Sequence, residues 1–122
     1  MSKFVIRTVP SGIKFDLRAT NGQTIATSEV YLTRASCLKG IESVRKNAPV
    51  AKTENRTEPD FREQTNPKFE MYQDRSGGYR FRLKARNGAI IAVSESYTTK
   101  ASCENGIDSV RKNADLAEII EQ

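Results

Sequence analysis

The stretch Ser28-Glu29-Val30-Tyr31-Leu32-Thr33-Arg34-Ala35-Ser36-Cys37, running on through Gly40-Ile41 to Ser43-Val44-Arg45-Lys46-Asn47-Ala48, returns in the same chain as Ser94 to Ala114. At a constant offset of 66, Phe15–Ala48 and Phe81–Ala114 share 22 identities in 34 positions, so the chain is a tandem duplication. A unit of roughly 45–55 residues buries too little surface to be stable alone. The two halves of this 122-residue chain are therefore expected to fuse into a single domain. Repeat one covers about residues 3–55, a linker about 56–67, and repeat two about 68–121.

The core of the repeated stretch has helical period. Cys37, Ile41, Val44 and Ala48 fall at i, i+4, i+7 and i+11, matched by Cys103, Ile107, Val110 and Ala114, which is the spacing of one buried helix face. Thr33 and Thr99 precede these helices as N-caps, since a threonine hydroxyl accepts from an unpaired first-turn N–H. Glu42 with Lys46, and Asp108 with Lys112, are outward i,i+4 pairs of favourable orientation. Gly40 and Gly106 sit inside the helices, where glycine costs about 1 kcal/mol against alanine. Close approach of helix to sheet is the expected compensation.

Upstream of each helix the period changes to two. Lys3 to Thr8 reads as a strand, Pro10-Ser11-Gly12 as a turn, and Ile13-Lys14-Phe15-Asp16-Leu17-Arg18-Ala19 as a strand with Ile13, Phe15, Leu17 and Ala19 on one face. Asn21-Gly22 predicts a two-residue type I′ hairpin, followed by a strand from about Gln23 to Ser28. That turn sets Thr20 against Gln23, Ala19 against Thr24 and Leu17 against Ala26, and it turns Ile25 outward. The same pairing through Asn87-Gly88 sets Leu83 against Ala92 and turns Ile91 and Val93 outward. Either a bulge shifts the register or that face is covered. The first hairpin of repeat two, through Ser76-Gly77-Gly78, is one residue longer than its counterpart. Pro49 to Pro67 is polar and breaks both periods, as a connection between halves does. Leu116-Ala117-Glu118-Ile119-Ile120 reads as a closing strand, and Val50-Ala51-Lys52-Thr53 as its weaker counterpart.

Composition narrows the function classes. With 37% apolar and 29% charged residues the chain is an ordinary globular protein lacking any apolar run of membrane-spanning length. Met1-Ser2-Lys3-Phe4-Val5-Ile6-Arg7 meets charge too soon for a signal peptide, so a cytoplasmic protein is expected and the Asn55-Arg56-Thr57 sequon is a chance match. Two cysteines at equivalent repeat positions make neither a disulfide scaffold nor a zinc site. They read as small core residues. No metal or cofactor is expected. The net charge of +5 is uneven: residues 1–48 carry 8 basic and 3 acidic groups, residues 68–122 carry 9 and 8.

The order strand, strand, Asn-Gly, strand, then Tyr-x-(Ser/Thr)-(Lys/Arg)-Ala-Ser and Gly-Ile-x-Ser-Val-Arg-Lys-Asn-Ala resembles the YegP-like family of small bacterial and archaeal proteins of uncharacterised function. The likeness covers both repeats. It implies an α+β fold of tandem β-β-β-α-β units that build a single antiparallel sheet with two helices on one face and exchange their last strands. The Val50 region would then pair with the second half and the Leu116 region with the first. The resemblance supplies no enzymatic activity.

Two constellations carry chemistry worth weighing. Ser28-Glu29-x-Tyr31 and Ser94-Glu95-x-Tyr97 place a carboxylate beside hydroxyls, yet the chain holds no histidine and no positioned oxyanion donor is evident. Loop-fixing hydrogen bonds are the plainer reading. Arg80, Arg82, Lys84 and Arg86 alternate with Tyr79, Phe81, Leu83 and Ala85, so four cations share one sheet face as a polyanion strip would. Glu70 and Asp74 lie close enough to neutralise part of it, and only Tyr72 offers a stacking ring. The expected role is thus a non-enzymatic structural or protein-interaction module, monomeric because the tandem repeat mimics a dimer and with a protein partner. Weak, sequence-nonspecific nucleic-acid binding through the basic face is the alternative, and an enzyme built on the Ser-Glu-x-Tyr cluster the least favoured.

Overall fold

A computed structural model describes residues 1–122 and turns these periods into a three-strand, one-helix, one-strand unit made twice. The elements are β1 (Lys3–Val9), β2 (Gly12–Arg18), β3 (Thr24–Thr27), α1 (Arg34–Asn47), β4 (Lys52–Asn55), β5 (Lys68–Gln73), β6 (Tyr79–Lys84), β7 (Ile90–Val93), α2 (Lys100–Asn113) and β8 (Glu118–Glu121). One eight-stranded sheet runs β4-β5-β6-β7-β3-β2-β1-β8. The halves meet in the middle, where Thr27 of β3 pairs with Val93 of β7 about a pseudo-twofold axis.

The last strands are exchanged: β4 pairs with β5 of the second half and β8 with β1 of the first. Both exchanged strands join in parallel, so the sheet is mixed, with six antiparallel strands between two parallel edges. Parallel neighbours cannot be joined by a tight turn. Residues 56–67 are the crossover that returns the chain from the end of β4 to the start of β5. Val50 and Leu116 lie outside these strands. A short 3-10 turn, Ala48–Val50, follows α1, and β4 begins only at Lys52.

Alternation points Phe4, Phe15, Leu17, Phe69, Phe81 and Leu83 at the helices, and 23 buried residues from both halves form one core. Helix α1 packs on β2 and on β7 of the other half, and α2 on β6 and β3. Each helix therefore straddles the middle of the sheet. Thr33 and Thr99 cap as expected, accepting from Ser36 N and Ser102 N at 3.1 Å. Cys37, Ile41, Val44 and Ala48 and their counterparts are buried. A methyl at Gly40 or Gly106 would collide with the hydroxyl of Tyr31 or Tyr97 and stand 2.7 or 2.9 Å from its Cζ, with Phe15 or Phe81 at 3.1 Å. The close approach is made by a tyrosine ring beneath the helix.

The Asn-Gly turns differ from the two-residue form. Ala19 N donates to Gln23 O and Gly22 N to Ala19 O, both at 2.9 Å, which closes a three-residue loop of Thr20, Asn21 and Gly22. Only the glycine adopts positive φ, at 85° here and 87° at Gly88. The Asn21 side chain accepts from Gln23 N at 3.0 Å and holds the turn without entering the left-handed region. The longer loop shifts pairing by one residue, setting Arg18 against Thr24, and a bulge at Ile25 restores it, so Leu17 faces Ala26. Repeat two does the same at Ile91. The bulge is what buries Ile25 and Ile91 beside Ala26 and Ala92, while Val93 stays on the outer face opposite Arg82. The helix ion pairs also move by one position: Glu42 bonds Arg45 at 2.6 Å and Asp108 bonds Arg111 at 2.9 Å, leaving Lys46 and Lys112 free.

Candidate functional site

The serine hydroxyls of the Ser-Glu-x-Tyr clusters are used up by the backbone. Ser28 Oγ accepts from Phe15 N at 3.0 Å and donates to Glu29 O at 2.7 Å; Ser94 does the same with Phe81 N and Glu95 O at 2.9 and 2.8 Å. The carboxylates of Glu29 and Glu95 are in exposed positions and make no hydrogen bond to either serine or tyrosine. Tyr31 and Tyr97 stack on Phe15 and Phe81. Burial raises both phenols, with a smaller push from Cys37 or Cys103. Each cluster thus pins the chain between third strand and helix and assembles no acid–base pair.

Three cations of the basic strip lie along β6 and are paired with carboxylates, and the fourth lies beyond the strand. Arg82 Nε donates to Glu70 Oε1 at 2.5 Å, Lys84 Nζ stands 3.3 Å from Glu70 Oε2, and Arg80 Nε donates to Asp74 Oδ2 at 2.9 Å. Arg80 holds the Asp74 carboxyl below its ordinary range, against a smaller opposing effect of burial and with further help from the Gly78 N–H. Arg82 also covers the Tyr72 ring at 4.7 Å, so the one outer aromatic is occupied. Arg86 lies past the strand in the β6–β7 turn, exposed and without a carboxylate partner.

Beneath the crossover lies a charge cluster that local sequence did not single out. Glu54 and Glu70 are 0% exposed and Lys68 6%. Lys68 Nζ donates to Glu54 Oε2 at 2.8 Å and to Gln64 O at 3.2 Å, Gln64 N donates to Glu54 Oε2 at 2.7 Å, and Arg56 Nε donates to Glu54 Oε1 at 2.6 Å. Arg56, Lys68 and Lys84 place nitrogens 3.3–3.4 Å from Glu70 Oε2 without hydrogen-bond geometry, so that oxygen is held by charge. Burial alone would raise both carboxyls. Arg82, Lys84 and Arg56 outweigh it at Glu70 and hold it at about 2; Lys68, the Gln64 amide and Arg56 outweigh it at Glu54. The sequence reading set Glu70 beside the basic strip, but only the crossover brings Arg56 to both carboxylates and Gln64 to Glu54 and Lys68. The matching positions at the opposite edge of the sheet, Val5 of β1 and Ile120 of β8, are apolar.

A second missed feature ties the exchanged strands down. Arg45 of α1 donates to Ala117 O at 2.7 Å, and Arg111 of α2 donates twice to Ala51 O, at 3.1 and 2.9 Å, and to Thr53 Oγ1 at 2.6 Å. The guanidiniums also lie over Phe4 and Phe69. Two clefts open on the helix-bearing side, each between one helix and the Asn-Gly turn of the opposite half. The cleft beside α2 is lined by Asn21, Thr24, Tyr97, Asn105 and Ser109 and holds about 240 Å³. Its counterpart beside α1 is lined by Lys39, Glu42, Ser43, Lys46, Arg86 and Asn87 and holds about 350 Å³. No helix is long and apolar enough to cross a membrane.

Comparison with known proteins places this architecture. The pattern that defines DUF1508, a domain of unknown function, matches residues 12–54 and 74–121, once in each repeat. The chain is 35% identical over 108 residues to the "UPF0339 protein in ptx operon 5'region" of Stutzerimonas stutzeri, covering 88% of this chain and 84% of that one. It is 59% identical over 54 residues to a UPF0339 protein of Treponema denticola, covering 44% of this chain but 93% of that protein, which is scarcely longer than one repeat. The solution structure of yegP from E. coli, described as a protein of unknown function, superposes with a TM-score of 0.80 at 34% identity, covering 99% of this chain and 92% of that one.

Proposed function

The chain belongs to the DUF1508 family, and on that premise we propose that it acts without chemistry of its own, as a protein-interaction module that works as a single-domain monomer in the cytoplasm. The observation that carries the reading is a pair of repeat-related apolar knobs. Val50 and Leu116, at the same place after the two helices, are 62% and 78% exposed, while the alanine following each is buried. One exposed leucine is ordinary; the same exposure twice, at places fixed by a rigid helix end, is what a docking surface needs. Leu32, also exposed, adds apolar surface at the start of α1. Three of the four strip cations already share carboxylates, so a nucleic-acid backbone would compete with Glu70 and Asp74 for them.

The test is Val50→Ser/Leu116→Ser in tagged protein recovered from native lysate beside the parent. A partner retained by the parent and lost from a double variant with unchanged melting supports the module. A partner retained equally by both, or none by the parent, sinks it.

A further inference from the structure

We infer that the cleft between α1 and the β6–β7 turn is a binding site for a small phosphate-bearing anion. The cations that build it come from two parts of the chain. Lys39, Ser43 and Lys46 fall at i, i+4 and i+7 and so share one face of α1, and Arg86 and Asn87 form the opposite wall. None of Lys39, Lys46 and Arg86 is in a salt bridge, although most arginines of this protein are. The one carboxylate in the wall, Glu42, is bonded 2.6 Å from Arg45. Three like charges around one cleft repel each other, and an anion between them relieves that repulsion.

The donor set fits phosphate better than carboxylate alone. Arg86 offers a planar fork for two oxygens, the lysines supply point charges, and the Ser43 hydroxyl and Asn87 amide offer neutral donors. Ser43 Oγ already accepts from Asn47 Nδ2 at 3.1 Å, which orients its proton away from that amide. Asn87 Oδ1 accepts from Ala89 N at 3.0 Å, which leaves its NH₂ available. About 350 Å³ is the size of a small-molecule site rather than of a track for a long polymer. The duplication supplies a contrast within the same molecule. At the repeat-equivalent positions of the other cleft Asn105 stands for Lys39 and Thr20 for Arg86, and only Lys112 stands for Lys46 unchanged, so the architecture is kept while two of the three cations are lost.

That contrast sets the experiment. Inorganic tripolyphosphate is titrated into the full-length protein at physiological ionic strength and followed by backbone amide NMR and calorimetry. Lys39→Asn/Arg86→Thr installs the residues the other repeat already carries, and Lys52→Asn/Lys112→Asn removes the same charge from exposed lysines elsewhere. Saturable binding with shifts at Lys39, Ser43, Lys46, Arg86 and Asn87, weakened at least tenfold in the first variant and less than twofold in the second, is the expected result. Equal loss in both variants, shifts centred on Arg80–Lys84, or no saturation overturns the site. Tight retention of a single-stranded oligonucleotide without tripolyphosphate binding overturns it too, in favour of a polymer backbone.

Discussion

Replacing Glu70 with glutamine removes one charge at nearly constant volume and tests the cluster under the crossover. The Glu70 carboxyl is held at about 2 against an ordinary 4.5, which at about 1.4 kcal/mol per pH unit corresponds to about 3 kcal/mol of stability at neutral pH. Arg56, Arg82 and Lys84 are about a third exposed and can turn to water when their partner is lost. Lys68 cannot, because it is buried and keeps only one carboxylate, Glu54, beside the Gln64 carbonyl. The expected loss is therefore about 2–3 kcal/mol, roughly 10 °C in melting temperature for a domain of this size. Because the folded carboxyl is depressed, its contribution is complete above pH 4.5 and disappears as the pH falls through about 2. Parent and Glu70→Gln unfolded in urea across that range should differ fully at pH 7 and converge near pH 2. A difference independent of pH, or none at pH 7, would refute the electrostatic account.

Gly40→Ala and Gly106→Ala should each lower stability by about 1–2 kcal/mol in spite of better helix propensity, and Tyr31→Phe should return part of the loss at Gly40; thermal melts decide. Cys37 and Cys103 are fully buried, and burial pushes both thiols up, Cys103 to about 11 with a further push from Glu104. Labelling at pH 8 should proceed at the rate of unfolding, and prompt modification of the folded protein would contradict this. Arg45→Ala or Arg111→Ala should release one exchanged strand, seen as faster amide exchange in β8 or β4 respectively with the opposite edge unchanged. Residues 1–48 expressed alone should give no cooperative transition, because β1 then lacks β8 and the core lacks its second half; a sharply melting monomeric fragment would argue otherwise.

What was legible in the sequence was local. Thr33, the Cys37–Ala48 stripe and the alternation of Ile13–Ala19 are set by interactions within a few residues, and the repeat supplied each of them twice. Leu17 against Ala26 was right although the turn beside it was not, because the extra loop residue and the bulge at Ile25 cancel. The Asn21 side chain decides that loop, and Asn-Gly alone does not report which form it takes. Glu54 and Lys68 meet because β4 pairs in parallel with β5, and Gln64 joins them because the crossover folds back over that edge, so local periodicity does not show their relation. Arg45 and Arg111 stand in the repeated motif as ordinary helix residues until strand exchange brings Ala117 and Ala51 within reach.

The pairing of Lys3 with Glu118 has a consequence for the order in which the protein can be completed. The first strand of the fold leaves one edge bare until its last strand, β8, has emerged from the ribosome, and contacts this distant in sequence form slowly. β1 is thus made before the other strands of the fold and is among the last to be secured, and pulse-labelled amide exchange during refolding would find its β8-facing groups protected late. Until then the nascent chain presents an open strand whose natural complement does not yet exist.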